Sequence, residues 1–241
     1  MSFIWHTFFF DPVYNALVFF IDVIPLGDVG LAIIATVIVV KLVLLPLSVK
    51  AAKTQKILRE IEPKLKALKE QYKDNREEQA KAMMAIYNEA GMNPFASILL
   101  FFIQIPIVIA LYLAVSKGGG VPLPAINVDL LYSFIPNPSS INMNFLGLID
   151  ITGKSLLLAA LAGVAQFFQV KLAMPALPPR DPKAEPNLKD DFMRNMQLQM
   201  RYVMPVLVFF AAYFISAAIA LYFFVSNLVG IAQEIYVKRH R

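Results

Sequence analysis

A lysine stands inside an apolar run: Lys41, within GLAIIATVIVVKLVLLPLSVK from Gly30 to Lys50. The run is long enough to cross a bilayer, where a cation faces protein, water or a bound molecule rather than lipid. Snorkelling does not relieve it. From about eight residues inside the helix end, at ~1.5 Å rise each, the ammonium would have to span ~12 Å, more than its stem reaches comfortably. The chemistry open to such a group is electrostatic: a polar interior that attracts an acidic segment.

Polar residues recur at helical spacing in the other apolar runs as well. Lys41 and Ser48 share a face, as do Asn93, Ser97 and Gln104. Ser155 and Gln166 do so in a third run, with Gln169 one turn on. Tyr222, Ser226 and Gln233 do so in the last, with Asn227 adjoining. Lys41, Gln104, Gln166 and Ser226 each lie roughly eight to ten residues, ~12–15 Å, from the same end of their helices. Any one glutamine reads as ordinary interhelical hydrogen bonding. The set, with a lysine among them, reads as a shared hydrophilic cavity opening at that end.

Covalent chemistry finds little support. His6 and His240 sit in terminal segments, and no HExxH, GxSxG, phosphate loop or paired intramembrane carboxylate occurs. Asp181, Asp190 and Asp191 belong to a hydrophilic loop, and Glu234 balances Lys238. The chain has no cysteine, which excludes disulfides and thiolate catalysis. No enzyme, cofactor or metal is expected.

The elements that must position these residues are helical and membrane-spanning. The 241 residues are 58% hydrophobic, with a mean hydropathy of +0.61, which fits a polytopic membrane protein rather than soluble domains. Residues 1–28 carry acids but no Lys or Arg, so no cleavable signal peptide is expected. Asp11, Pro12, Asp22 and Pro25 break the segment into an amphipathic helix at the outer interface. Spans are expected at 29–49, 94–116 and 154–174. The uncharged stretch between Arg201 and Glu234 would make a helix of ~48 Å against ~30 Å of hydrocarbon, so it splits near Ser216 into spans 202–216 and 218–237.

Between the spans, 50–92 is a charged helical hairpin whose Ile57, Ile61, Leu65 and Leu68 recur as an apolar stripe. Its turn falls near Lys73-Asp74-Asn75. Residues 117–153 form an external loop, partly apolar, that dips into the interface, 175–200 a hydrophilic loop and 238–241 a basic tail. The hairpin holds ten Lys/Arg and the tail three, whereas the external segments hold only Lys117 and Lys154. By the positive-inside rule the hairpin, second loop and C-terminus are cytoplasmic and the N-terminus is outside, which requires an odd number of spans. The expectation is a single all-α domain of five transmembrane helices, N-out and C-in. The net charge of +5 then reflects sidedness, with no direct nucleic-acid partner.

The ordered combination of motifs resembles the YidC/Oxa/Alb membrane protein insertases over nearly the whole chain. It begins with Lys41 and Pro46-Leu47 and continues through KTQKILREIEPKLKALKEQYKDN, similar to the family's cytoplasmic hairpin. MAIYNEAGMNPFASILLFFIQIPIVIALY resembles its Asn-Pro and Gln-x-Pro pattern, and MRYVMPVLVFF with LYFFVSNLVGIAQ its paired last spans. The chain departs from the pattern in having Lys41 for the usual arginine, Ser216-Ala217-Ala218 for a Pro-Ala-Gly-like turn and Phe223 for a tryptophan. A lysine keeps the charge and loses the planar fork of donors.

The resemblance implies an insertase and chaperone of small membrane proteins in the cell membrane, alone or with a Sec translocon. Its partners would be nascent membrane-protein clients and the bilayer, with ribosome or Sec contacts through the hairpin and loops. The client-binding groove would comprise Lys41, Ser48, Ser97, Gln104, Gln166, Gln169, Tyr222, Ser226, Asn227 and Gln233. A small transporter or channel using the same cavity is the alternative; it predicts repeated halves and broken helices, and no repeat is evident. A structural scaffold, the third possibility, would not need Lys41.

Overall fold

The computed structural model describes residues 2–73, 75–91, 95–117, 120–174 and 195–239. Side chains at 2, 55, 56, 59, 62, 66, 95–98, 100 and 101 are also outside the description. The second hydrophilic loop therefore lies almost wholly outside the described residues, as do Asp74 of the hairpin turn, Asn93-Pro94, Gly118-Gly119 and the last two residues of the tail.

The described chain is helical apart from the segment between residues 120 and 155. The helices are α1 (Phe3–Val23), α2 (Val29–Val43), α3 (Leu45–Glu60), α4 (Glu62–Gln71), α5 (Arg76–Glu89), α6 (Phe95–Ser116), α7 (Leu156–Ala173), α8 (Asn195–Ile215) and α9 (Ala217–Arg239). Four of them, α1, α7, α8 and α9, are long and apolar enough to cross a membrane, and the bent pair α2–α3 makes a fifth. α1, expected at the interface, thus also has the length and composition of a span. α6 runs 22 residues with Pro106 inside it. Leu42, Val43, Phe102, Ile109, Val164, Phe168, Leu207 and Phe210 are exposed, a belt that water would not tolerate and lipid does.

α9 is the shared wall of the bundle. It packs on α7 and α8 along one flank and on α2, α3 and α6 along the other, while α1 closes against α2 and α6. The seam is built from small residues: Ala159, Ala162, Ala212, Ala217, Ala218 and Ala220 are all buried. Without a hydrophobic drive between helices in lipid, such residues let backbones approach for dispersion contact. Gly163 shows how closely: a Cβ there would lie 3.1 Å from that of Phe209 and 3.2 Å from the Pro205 carbonyl oxygen on α8.

The α2–α3 pair bends by 59° at Leu44. Pro46 supplies the cause, because it has no N–H to offer Leu42 and its ring crowds that carbonyl. The ladder ends with Leu44 N–H on Val40 and resumes with Ser48 N–H on Leu44. Beyond the bend, α4 and α5 lie side by side, Asn75 capping α5 through a bond from Glu78 N–H and Gln79 reaching back to the Lys69 carbonyl.

The 120–153 segment is fastened at three places. Asn15, buried on α1, accepts from Tyr132 N–H at 2.7 Å and donates to the Leu130 carbonyl at 2.8 Å, while the Tyr14 hydroxyl accepts from Asn127 N–H. Asp28 caps α2 through Leu31 N–H and also accepts from Leu146 N–H at 2.7 Å. The carbonyls of Gly153 and Ile151 take the N–H groups of Ala217 and Ala218 at the start of α9. A two-residue hairpin, β1 (Asn144–Phe145) with β2 (Ile149–Asp150), stands in the middle.

Candidate functional site

Three helices converge on Lys41. α2 carries it as the last cationic turn before the Leu44 bend, α6 brings Gln104 and α9 brings Tyr222. Lys41 Nζ donates to Gln104 Oε1 at 3.1 Å, and Gln104 Nε2 donates onward to the Tyr222 hydroxyl. Ser226, one turn along α9 and buried, hydrogen-bonds the same tyrosine. Lys41 and Gln104 are half-buried, and Tyr222 is buried. The glutamine is the pivot, since its amide accepts at one end and donates at the other. Among the described residues no carboxylate enters this chain of bonds, and the ammonium is matched by neutral dipoles.

The other expected groove residues are distributed around this centre. Ser48, past the bend, donates to the Leu44 carbonyl of its own helix at 2.9 Å. Asn227 is buried in the opposite seam and donates to the Ala162 carbonyl of α7 at 3.3 Å. Gln166 and Gln169 are half-buried on α7, and Gln169 lies against Gly230 of α9, where a Cβ would collide with its amide. Gln233 is half-buried on α9. The structure thus joins Lys41, Gln104, Tyr222 and Ser226 and ties Ser48 and Asn227 to backbone carbonyls; the Ser97 side chain lies outside the described residues.

Two connections escape a reading by spacing alone. Lys238 at the end of α9 donates to the Leu172 carbonyl at 2.7 Å, neutralising part of the α7 C-terminal dipole. Thr36, one turn above the lysine and buried, bonds the Ala32 carbonyl of its own helix. Both bonds end on backbone carbonyls, one across 66 residues and one within its own turn, and neither is announced by the sequence.

Fold and site together define a polytopic helical membrane protein with a cation held between helices by neutral partners. Comparison with known proteins narrows that class. A family model described as 60Kd inner membrane protein matches residues 20–241, and the chain belongs to this family, the YidC/Oxa/Alb membrane protein insertases. It is 30% identical over 241 residues to the membrane protein insertase YidC of Oceanobacillus iheyensis, covering 98% of this chain and 84% of that protein. It is 29% identical to YidC of Alkalihalophilus pseudofirmus, covering 97% and 81%. YidC of Pelobacter propionicus is 28% identical over 98% of this chain, which matches 39% of that longer protein. Membership makes the chain an insertase, a multi-pass protein of the cell membrane and not an enzyme in the catalytic sense.

Proposed function

We propose that the chain inserts small membrane proteins along a hydrophilic groove in the inner leaflet, walled by α9 and floored by Lys41. The observation that carries this reading is a lysine bonded, among the described residues, to a glutamine that is itself bonded to a tyrosine, among apolar helices. A client must move a polar, often acidic segment through hydrocarbon, which is expensive without water or a countercharge. A half-buried ammonium with neutral partners offers that countercharge. The client's apolar parts then slide along the lipid-facing sides of α7 and α9 into the bilayer.

In this reading 29–49, 94–116, 154–174, 202–216 and 218–237 are the five spans, with the N-terminus outside and the C-terminus in the cytoplasm. Ser48, Ser97, Gln166, Gln169, Asn227 and Gln233 line the groove beside the central four. The α1 segment lies along the outer interface. The charged hairpin, with the 175–200 loop, meets the ribosome or a Sec translocon, supported by its exposed Lys and Glu residues and the apolar stripe that buries Leu65.

The test is insertion of a small client with an acidic translocated loop into liposomes containing only this purified protein, followed by protease protection. Protection that falls with Lys41→Ala and returns with Lys41→Arg supports the electrostatic groove. Equal protection by the alanine variant overturns it.

A further inference from the structure

Among the described residues only two non-glycine residues have a left-handed backbone, Leu26 (φ 64°) and Leu146 (φ 52°). Bulky side chains are uncommon there, and such a backbone persists only where the surroundings over-determine it. Both residues are leucines, and both stand next to Asp28. Leu26 lies two residues before Asp28, and Leu146 donates its N–H to the Asp28 carboxylate. Leu148 completes the tip of the β1–β2 turn. Exposure is 81% for Leu26, 60% for Leu146 and 84% for Leu148. Glycine or asparagine would suit these turns at less cost, so the strain is spent on presenting apolar side chains outward.

The tip is held rigidly against the first span. Asn142 exchanges backbone bonds with Gly27 and Val29, and the Phe145 ring sits on Gly30, leaving no room for a Cβ. Asp28 caps α2, so the tip is fixed at the N-terminal end of that helix. Residues 141–149, INMNFLGLI, carry no charge. Exposed Val23, at the end of α1, continues the apolar surface.

We propose that Leu26, Leu146 and Leu148 form a wedge that inserts shallowly into the bilayer leaflet at the Asp28 end of α2. A lipid surface fits because residues 141–149 are uncharged and their exposed leucines sit at the N-terminal end of the apolar helix α2. The wedge anchors the start of α2 and so fixes the depth of Lys41, thirteen residues or ~20 Å further along the helix. This role rests on the groove reading, but the insertion of the wedge does not.

The chain has no cysteine, so a single one at Leu148 can carry an environment-sensitive NBD probe without background. In proteoliposomes of this protein alone, the Leu148→Cys probe is expected to be quenched by lipids doxyl-labelled near the headgroup, more weakly by those labelled near the chain end, and little by aqueous iodide. A Glu77→Cys probe on α5 serves as the aqueous reference. If the Leu148 probe is quenched by iodide as strongly as that reference and by no doxyl lipid, the wedge is overturned and a protein partner is left as the cover. Leu26→Cys gives a second, independent reading. Because no client is present, failure of the wedge is distinguishable from failure of the groove.

Discussion

Lys41 and Gln104, sixty-three residues apart in the chain, meet through a 3.1 Å hydrogen bond from Nζ to Oε1. The glutamine gives the ammonium an acceptor and gives up none of its charge. An aspartate there would neutralise the site in advance; a leucine would leave a buried donor unmatched.

Replacing Lys41 by alanine is expected to slow insertion of a client with an acidic loop by about tenfold or more, equivalent to ~1.4 kcal/mol or more in the barrier. A client whose loop is neutral should be affected much less. The comparison is made by protease protection in liposomes, and equal losses for both clients would count against a countercharge.

Gln104→Leu removes both halves of the Lys41–Gln104–Tyr222 chain, whereas Tyr222→Phe removes one hydroxyl. Losing one buried hydrogen bond costs about 1 kcal/mol, and stranding a donor costs more. Gln104→Leu should therefore lower the thermal midpoint in detergent more than Tyr222→Phe. Combined with Lys41→Ala it should cost less than the sum of the two single changes, since they share a bond.

Pro46→Ala restores an N–H for the Leu42 carbonyl and removes the ring that crowds it. The 59° bend between α2 and α3 is expected to decrease. Spin labels placed one each on α2 and α3 in the cysteine-free chain report the change as a longer distance, and an unchanged distance would assign the bend to the packing of α3 on α6 and α9.

Gly163→Leu forces a side chain into the contact with Phe209 and Pro205 on α8. Overpacking of this kind costs typically 1–3 kcal/mol. α8 should dock less tightly on α7, seen as a lower unfolding temperature and faster proteolysis within α8. Gly163→Ala should show a small fraction of the effect.

Asn15→Ala removes three hydrogen bonds, to Asp11, Leu130 and Tyr132, two of them to the 120–153 segment. At about 1 kcal/mol each, the segment should open locally by a few kcal/mol. Amide exchange at Leu131 and Tyr132 is the readout, and the protection of α7 and α9 should be unchanged.

The sequence by itself determined the all-helical membrane class, because an apolar run with one cation or none has few other solutions in lipid. It also pointed to Lys41, Gln104, Tyr222 and Ser226, since polar residues in such runs stand out and helical spacing assigns their faces. Only the tertiary structure decided which of them touch. Asn227 adjoins the Tyr222–Ser226–Gln233 face by one residue, and that one residue's rotation about α9 points its amide into the other seam, onto the Ala162 carbonyl of α7. The fastening of the 120–153 segment by Asn15 and Asp28 was equally a matter of long-range contact, whereas the bend at Leu44 follows from Pro46 two residues along the chain. Periodicity reports a face; which helix lies against that face is set by packing of small residues between segments far apart in the chain.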